Sequence, residues 1–118
     1  MRVKRIVNSG RERSANPIFK GDVDYQTAVG DDVSKDLRLS EVHFKSGAVN
    51  RWHMHSCDQI LIVTEGEGVV ADEREERVVT AGDVAFIPAN TKHWHGAKPG
   101  KDMTHWSILA NGKTTIVE

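Results

Sequence analysis

The stretch Arg51–Val63, "RWHMHSCDQILIV", begins with two histidines and ends as an apolar run. Ile60 to Val63 is the kind of sequence that fills a buried strand. His53 and His55 stand two residues apart. On an extended chain, side chains at that spacing project from the same face, so both imidazoles can converge on one point. Gln59 follows across "SCD", three small or polar residues able to turn the chain and return an amide oxygen to that point. The spacing recurs in "HWH", His93 to His95, which can supply a third nitrogen. Three imidazoles and one oxygen ligand, with coordination positions left open, make a catalytic-type site for a first-row divalent metal.

The rest of the chain narrows what such a site could serve. A chain of 118 residues is expected to form one compact domain with a sizeable core. Sixteen Lys and Arg against seventeen Asp and Glu leave no basic field to hold nucleic acid or anionic lipid. The single cysteine, Cys57, excludes an internal disulfide framework and fits a reducing cytoplasm. The opening "MRVKRIVNSGRERSANP" has the charge of a signal peptide but not its apolar core. No run of about eighteen apolar residues occurs, so no membrane span is expected. These features predict a cytoplasmic protein acting on a small molecule.

Turn signals such as "KSGAVN", "TEGEG", "DEREE", "TAGD", "IPANT" and "KPGKD" come every eight to twelve residues or so, the rhythm of an all-β sandwich or barrel. Between them lie strand-like runs at 37–45, 59–64, 68–71, 77–80, 83–87 and 103–110. "VVADEREERVVT" reads as a hairpin with a solvated, charged tip. In "LRLSEVHFK" the apolar parity switches between Leu39 and Val42, which predicts a bulge or bend near Ser40 and Glu41. Residues 1–30 are the least readable part, an arm in which "IFKGDVDYQTAV" can supply a strand.

Two ordered patterns carry a family resemblance. Gly47-x5-His53-x-His55-x3-Gln59-x6-Gly66 resembles the first cupin motif, and Gly82-x5-Pro88-x-Asn90-x2-His93 the second. With the motifs at about 47–66 and 82–97, the resemblance implies a single cupin domain over 1–118, a jelly-roll β-barrel. It implies His53, His55, Gln59 and His93 as ligands of one divalent transition metal per chain. Gln59 stands where most cupins carry glutamate, which leaves the site about one charge more positive. That favours polarising a substrate oxygen over oxidation of the metal. Asn90 replaces a glycine and tolerates positive φ, and Ala97 replaces an asparagine.

"WHMHSCDQILIVTEG" together with "GDVAFIPANTKHWHGAKPGKDMTHWSI" is similar to the bacterial manganese-dependent cupin hydroxynitrile lyases and their relatives. The resemblance implies manganese, with iron, nickel, cobalt and zinc as alternatives, and it implies His105 of "MTH" as the general acid/base. His95 is expected in the pocket wall or backing a ligand, and His43 on the strand surface. Trp52, Trp94 and Trp106, each beside a histidine, are expected to point away from the pocket. Cys57 and Asp58 read as loop residues. Small cupins pair barrels, so a homodimer or homotetramer is implied. The function implied is reversible cyanohydrin cleavage to aldehyde and cyanide. A dioxygenase, isomerase or decarboxylase on the same cradle, or a cupin that binds metal or ligand without turnover, are the alternatives.

Overall fold

The computed structural model describes residues 1–118. After a short 3-10 turn at Asn8–Gly10, twelve strands follow. The first six are β1 (Glu12–Arg13), β2 (Phe19–Lys20), β3 (Val23–Val29), β4 (Leu37–Phe44), β5 (Val49–Asn50) and β6 (His53–His55). The remainder are β7 (Gln59–Asp72), β8 (Glu76–Thr80), β9 (Val84–Ile87), β10 (His93–Ala97), β11 (Met103–Ala110) and β12 (Thr114–Ile116). All pairings are antiparallel. The architecture is therefore all-β, as the turn rhythm predicts.

One long strand makes the sheet curl. β7 pairs through Gln59–Gly66 with β11 and through Gly68–Asp72 with β10, so its two halves serve opposite walls of the barrel. β9 flanks the first half and β8 the second. The sequence predicts two strands here, separated by a turn at "TEGEG". The structure instead carries the chain straight through, with the register against β11 slipping between Thr104 and His105. Gly66 allows the bend: its φ is +79°, and an added Cβ would fall on the carbonyl oxygen of Asp102.

The interior face of β4 is Ser40, Val42 and Phe44, and its outer face is Leu39, Glu41 and His43. No bulge lies at Ser40 and Glu41, contrary to the sequence expectation. The extra residue is Ala28 on the neighbouring β3, between the pairs Thr27–Ser40 and Val29–Leu39. The parity switch has another cause. Val7 and Arg11 lie against the outer face, where Arg11 Nε lies 2.8 Å from the buried Glu41 carboxylate and Gln26 donates to Glu41 and to Val7 O. A buried outer face tolerates Leu39 where a solvated one would not favour it.

The core proper holds Val23, Phe44, Ala48, Val63, Val79, Ala97 and Met103. It fills one end of the barrel, and the histidines occupy the space beyond it. "DEREE" caps the hairpin of β7 and β8 as expected, with Glu73 to Glu75 exposed. No helix is long and apolar enough to cross a membrane.

Candidate metal centre

His53 and His55 project from β6, and His93 opens β10 directly opposite His53 in the register. Their relative exposures are 1%, 8% and 1%. One ligand atom from each lies within 4.8 Å of the other two, a spacing that can hold a metal ion. Each ring is fixed from behind. His53 Nδ1 is 2.7 Å from Arg51 O, His93 Nδ1 is 2.7 Å from Thr91 O, and His55 Nδ1 is 2.8 Å from Thr114 Oγ1. A proton held on Nδ1 in this way leaves the Nε2 lone pair for a ligand, the arrangement that orients metal-binding histidines.

Gln59 opens β7 and is 4% exposed. Its amide nitrogen donates to Ser107 Oγ at 2.8 Å, while Oε1 has no donor. Three buried acceptors are thus left without partners around this point: His55 Nε2, His93 Nε2 and Gln59 Oε1. A buried polar atom left unpaired costs about 1–3 kcal/mol, and three of them around one point need a common partner. A dication would satisfy the histidine nitrogens together, and an amide oxygen is a donor that could join them. The donor set of imidazole nitrogens and an amide oxygen suits first-row divalent metals.

Electrostatics prepare the rings for that role. Burial first, and then the charge of His93, push both His53 and His55 down to about 4, with Gln59 partly offsetting this for His55. Burial also lowers His93. At neutral pH all three are uncharged, the form that binds metal.

The cradle opens on a cavity of about 670 Å³, whose wall includes His53, His55, Gln59, His95, His105 and Ser107. His105 projects inward from β11, buried beside Phe44, with ring centroids 5.3 Å apart. Its Nε2 lies 3.2 Å from His95 Nδ1, and its own Nδ1 has no partner. His95 neighbours both the cradle and His105, with ring centroids 5.7 Å from His53, 5.6 Å from His93 and 5.0 Å from His105. Asn50 on β5 stands against it: Oδ1 accepts from the His95 backbone N–H at 2.8 Å, and Nδ2 lies beside the ring, 3.3 Å from Nδ1 and 3.2 Å from Nε2. Five of the six histidines therefore form one continuous cluster. Burial holds His105 at about 4 and His95 well below the ordinary imidazole range.

Residues 40–109 match the family model of the cupin domain. The chain belongs to the cupin family. Over 72 residues this cupin is 43% identical to a protein of Granulicella tundricola named (R)-mandelonitrile lyase, covering 58% of this chain and 53% of that one. Over 61 residues it is 38% identical to the pectin degradation protein KdgF of Dickeya dadantii, covering 51% and 56%. The chain thus spans about half the length of the curated relatives it matches. Among solved structures, a cupin-like protein of Thermotoga maritima superposes with a TM-score of 0.84 at 32% identity, covering 89% of this chain and 83% of that one. A polyketide cyclase of Streptomyces resistomycificus shares the fold at 17% identity, with a TM-score of 0.83 and coverage of 99% and 87%.

The structure brings His53, His55, Gln59, His93, His95 and His105 into one region of the cupin barrel. His43 lies outside it, on the outer face, yet it has a partner that the sequence did not suggest, Thr104 Oγ1 at 2.7 Å. None of the three tryptophans lines the cavity. Cys57 donates to Ala110 O at 3.3 Å, and Asp58 ties the ligand-bearing loop to the Ala89 N–H at 2.8 Å. Asn90, at φ +64°, takes the left-handed conformation and donates its N–H to His55 O. Sequence reasoning missed Asn50, Ser107 and Thr114. Ser107 alone carried a signal, since it shares the parity of His105 on β11.

Proposed function

We propose that this cupin is a metal-dependent lyase that cleaves and forms a small neutral cyanohydrin, releasing an aldehyde and hydrogen cyanide. One observation carries the reading: His53, His55, Gln59 and His105 share a cavity whose lining contains no Lys, Arg, Asp or Glu. With its histidines neutral, the side chains of that wall carry no charge, and the dication would be the one charge in the cavity, facing a substrate oxygen. The cavity suits an uncharged molecule with an oxygen for the cradle and an apolar body against Val42, Phe44 and Leu109. The likeness to the (R)-mandelonitrile lyase of Granulicella tundricola supports the same class.

His53, His55, Gln59 and His93 would hold the dication, with manganese as the first candidate. Bound there, it would acidify the substrate hydroxyl and stabilise the developing oxyanion. His105 Nδ1 then takes the hydroxyl proton, with Nε2–H donating to His95 Nδ1. The bond to the nitrile carbon breaks, its electron pair leaves on cyanide, and the proton passes from His105 to that carbon. One cyanohydrin gives one aldehyde and one hydrogen cyanide. An imidazole held near 4 releases its proton readily, which suits the second transfer more than the first. The bound metal would supply the acidity that the first transfer needs.

The test is to load purified protein with Mn2+ and follow benzaldehyde release from mandelonitrile. His53→Ala is expected to lose both metal and turnover. His105→Ala is expected to keep the metal and lose about 100-fold or more in turnover, the usual weight of a general acid/base. Metal-loaded protein that releases no benzaldehyde above the free-metal control would overturn the lyase reading, and oxygen uptake by an iron-loaded sample would replace it with an oxygenase.

A further inference from the structure

Of the three cradle histidines, two are oriented by their own neighbourhood and one is not. His53 and His93 each lean on a backbone carbonyl two residues earlier, Arg51 O and Thr91 O. Those contacts are local, each made within two residues of the ring. His55 leans instead on the hydroxyl of Thr114, 59 residues away in the chain. Thr114 belongs to β12, a strand of three residues, all exposed, that pairs with no element except β6.

The pairing lays β12 along the ligand strand itself, with Thr114 opposite His55, Thr115 opposite Met54 and Ile116 opposite His53. Thr114 and Ile116 also form part of the cavity wall. Beyond the strand, the Glu118 carboxylate accepts from the Trp52 N–H at 2.9 Å and meets Lys20 Nζ at 2.7 Å. Val117 N–H donates to Trp52 O at 3.0 Å, and Ser56 N–H to Lys113 O at 2.9 Å. This is a strap, fastened at both ends, whose middle supplies one hydrogen bond to a ligand.

We propose that β12 is a positioning strap for the metal centre, and that Thr114 couples its docking to metal binding. The inference rests on the metal reading above. With the strap docked, the Thr114 hydroxyl accepts the Nδ1 proton of His55 and fixes the tautomer that presents Nε2. With the strap released, that proton loses its partner, the ring is free to turn or to move the proton to Nε2, and one ligand is lost. Linkage makes the effect reciprocal: whatever factor docking adds to metal affinity, metal adds to docking.

Two readouts test this without recourse to activity. The first is Mn2+ affinity by competition with a chelator for the wild type, Thr114→Val and Thr114→Ser. Thr114→Val is expected to bind about 10- to 100-fold more weakly, the usual cost of losing a partner behind a histidine ligand, and Thr114→Ser to recover most of the loss. The second is amide hydrogen exchange with and without Mn2+. The Ser56 and Val117 amides are expected to slow on metal addition in the wild type, and to lose that response in Thr114→Val. Glu118→Gln, which removes the ion pairs to Lys20 and Arg51 that fasten the end of the strap, is expected to weaken metal binding and raise exchange at Val117 while the far-UV spectrum stays native. Equal Mn2+ affinity in wild type and Thr114→Val, or exchange at Val117 that ignores the metal, overturns the strap. A wild type that binds no Mn2+ overturns the metal reading first.

Discussion

Removing the metal and lowering the pH should unfold this protein in a range where most small domains remain stable. His53, His55 and His105 are each held down to about 4 in the folded chain by burial, against an ordinary value of 6.5 that the unfolded chain regains. Between those two values the unfolded state binds more protons, so stability is complete above about 6.5 and falls as the pH drops towards 4. For one such group the loss is about 2 kcal/mol at pH 5, and for three about 6 kcal/mol. That is comparable with the whole stability of a typical domain, about 5–15 kcal/mol. His93 and His95, also lowered by burial, act in the same direction. The depressed carboxylates Asp24 and Glu41 act mostly below this window.

The assay is urea unfolding of chelator-treated protein at intervals from pH 7 to pH 5. At its steepest, the unfolding free energy should change by about 4 kcal/mol per pH unit, which is close to three protons taken up on unfolding. His105→Asn removes one titrating ring and should lower that slope by about one third. A free energy that stays flat between pH 6.5 and pH 5 would mean the rings are already charged or solvated in the folded chain. The neutral, metal-ready cradle would then be wrong.

Two further perturbations probe the frame around the site. Asn50→Ala strips His95 of its backbone acceptor and of the amide beside its ring; urea unfolding should show a loss of about 1–3 kcal/mol, and a loss under about 0.5 kcal/mol would show that Asn50 is not what holds His95. Gly66→Ala forces an alanine to φ +79° against the Asp102 carbonyl; it should cost about 3–5 kcal/mol, and near-native stability would place the bend of β7 elsewhere.

The parts of this protein that sequence could reveal are those built from short-range geometry. Two histidines two residues apart on a strand must share a face, so the convergence of His53 and His55 was legible from spacing, and that of Gln59 from the short polar turn that returns it. Asn90 was legible because its position needs a left-handed residue. What stayed hidden depends on strands that meet only in three dimensions. The fold of β7 was misread because a glycine in a turn and a glycine in a bent strand look alike until the partner backbone is present, here the Asp102 carbonyl. Glu41 broke the parity of β4 for the same kind of reason: the Arg11 that neutralises it sits 30 residues upstream. Thr114 is the strongest case. An isolated threonine between lysine and threonine carries no motif, and it gains meaning only through the register that sets it against His55. The candidate ligands of this cupin can therefore be read along the chain, whereas the groups that would aim them are fixed by strand pairing. Substitutions at Asn50, Ser107 and Thr114 should accordingly alter metal affinity even with His53, His55, Gln59 and His93 all in place.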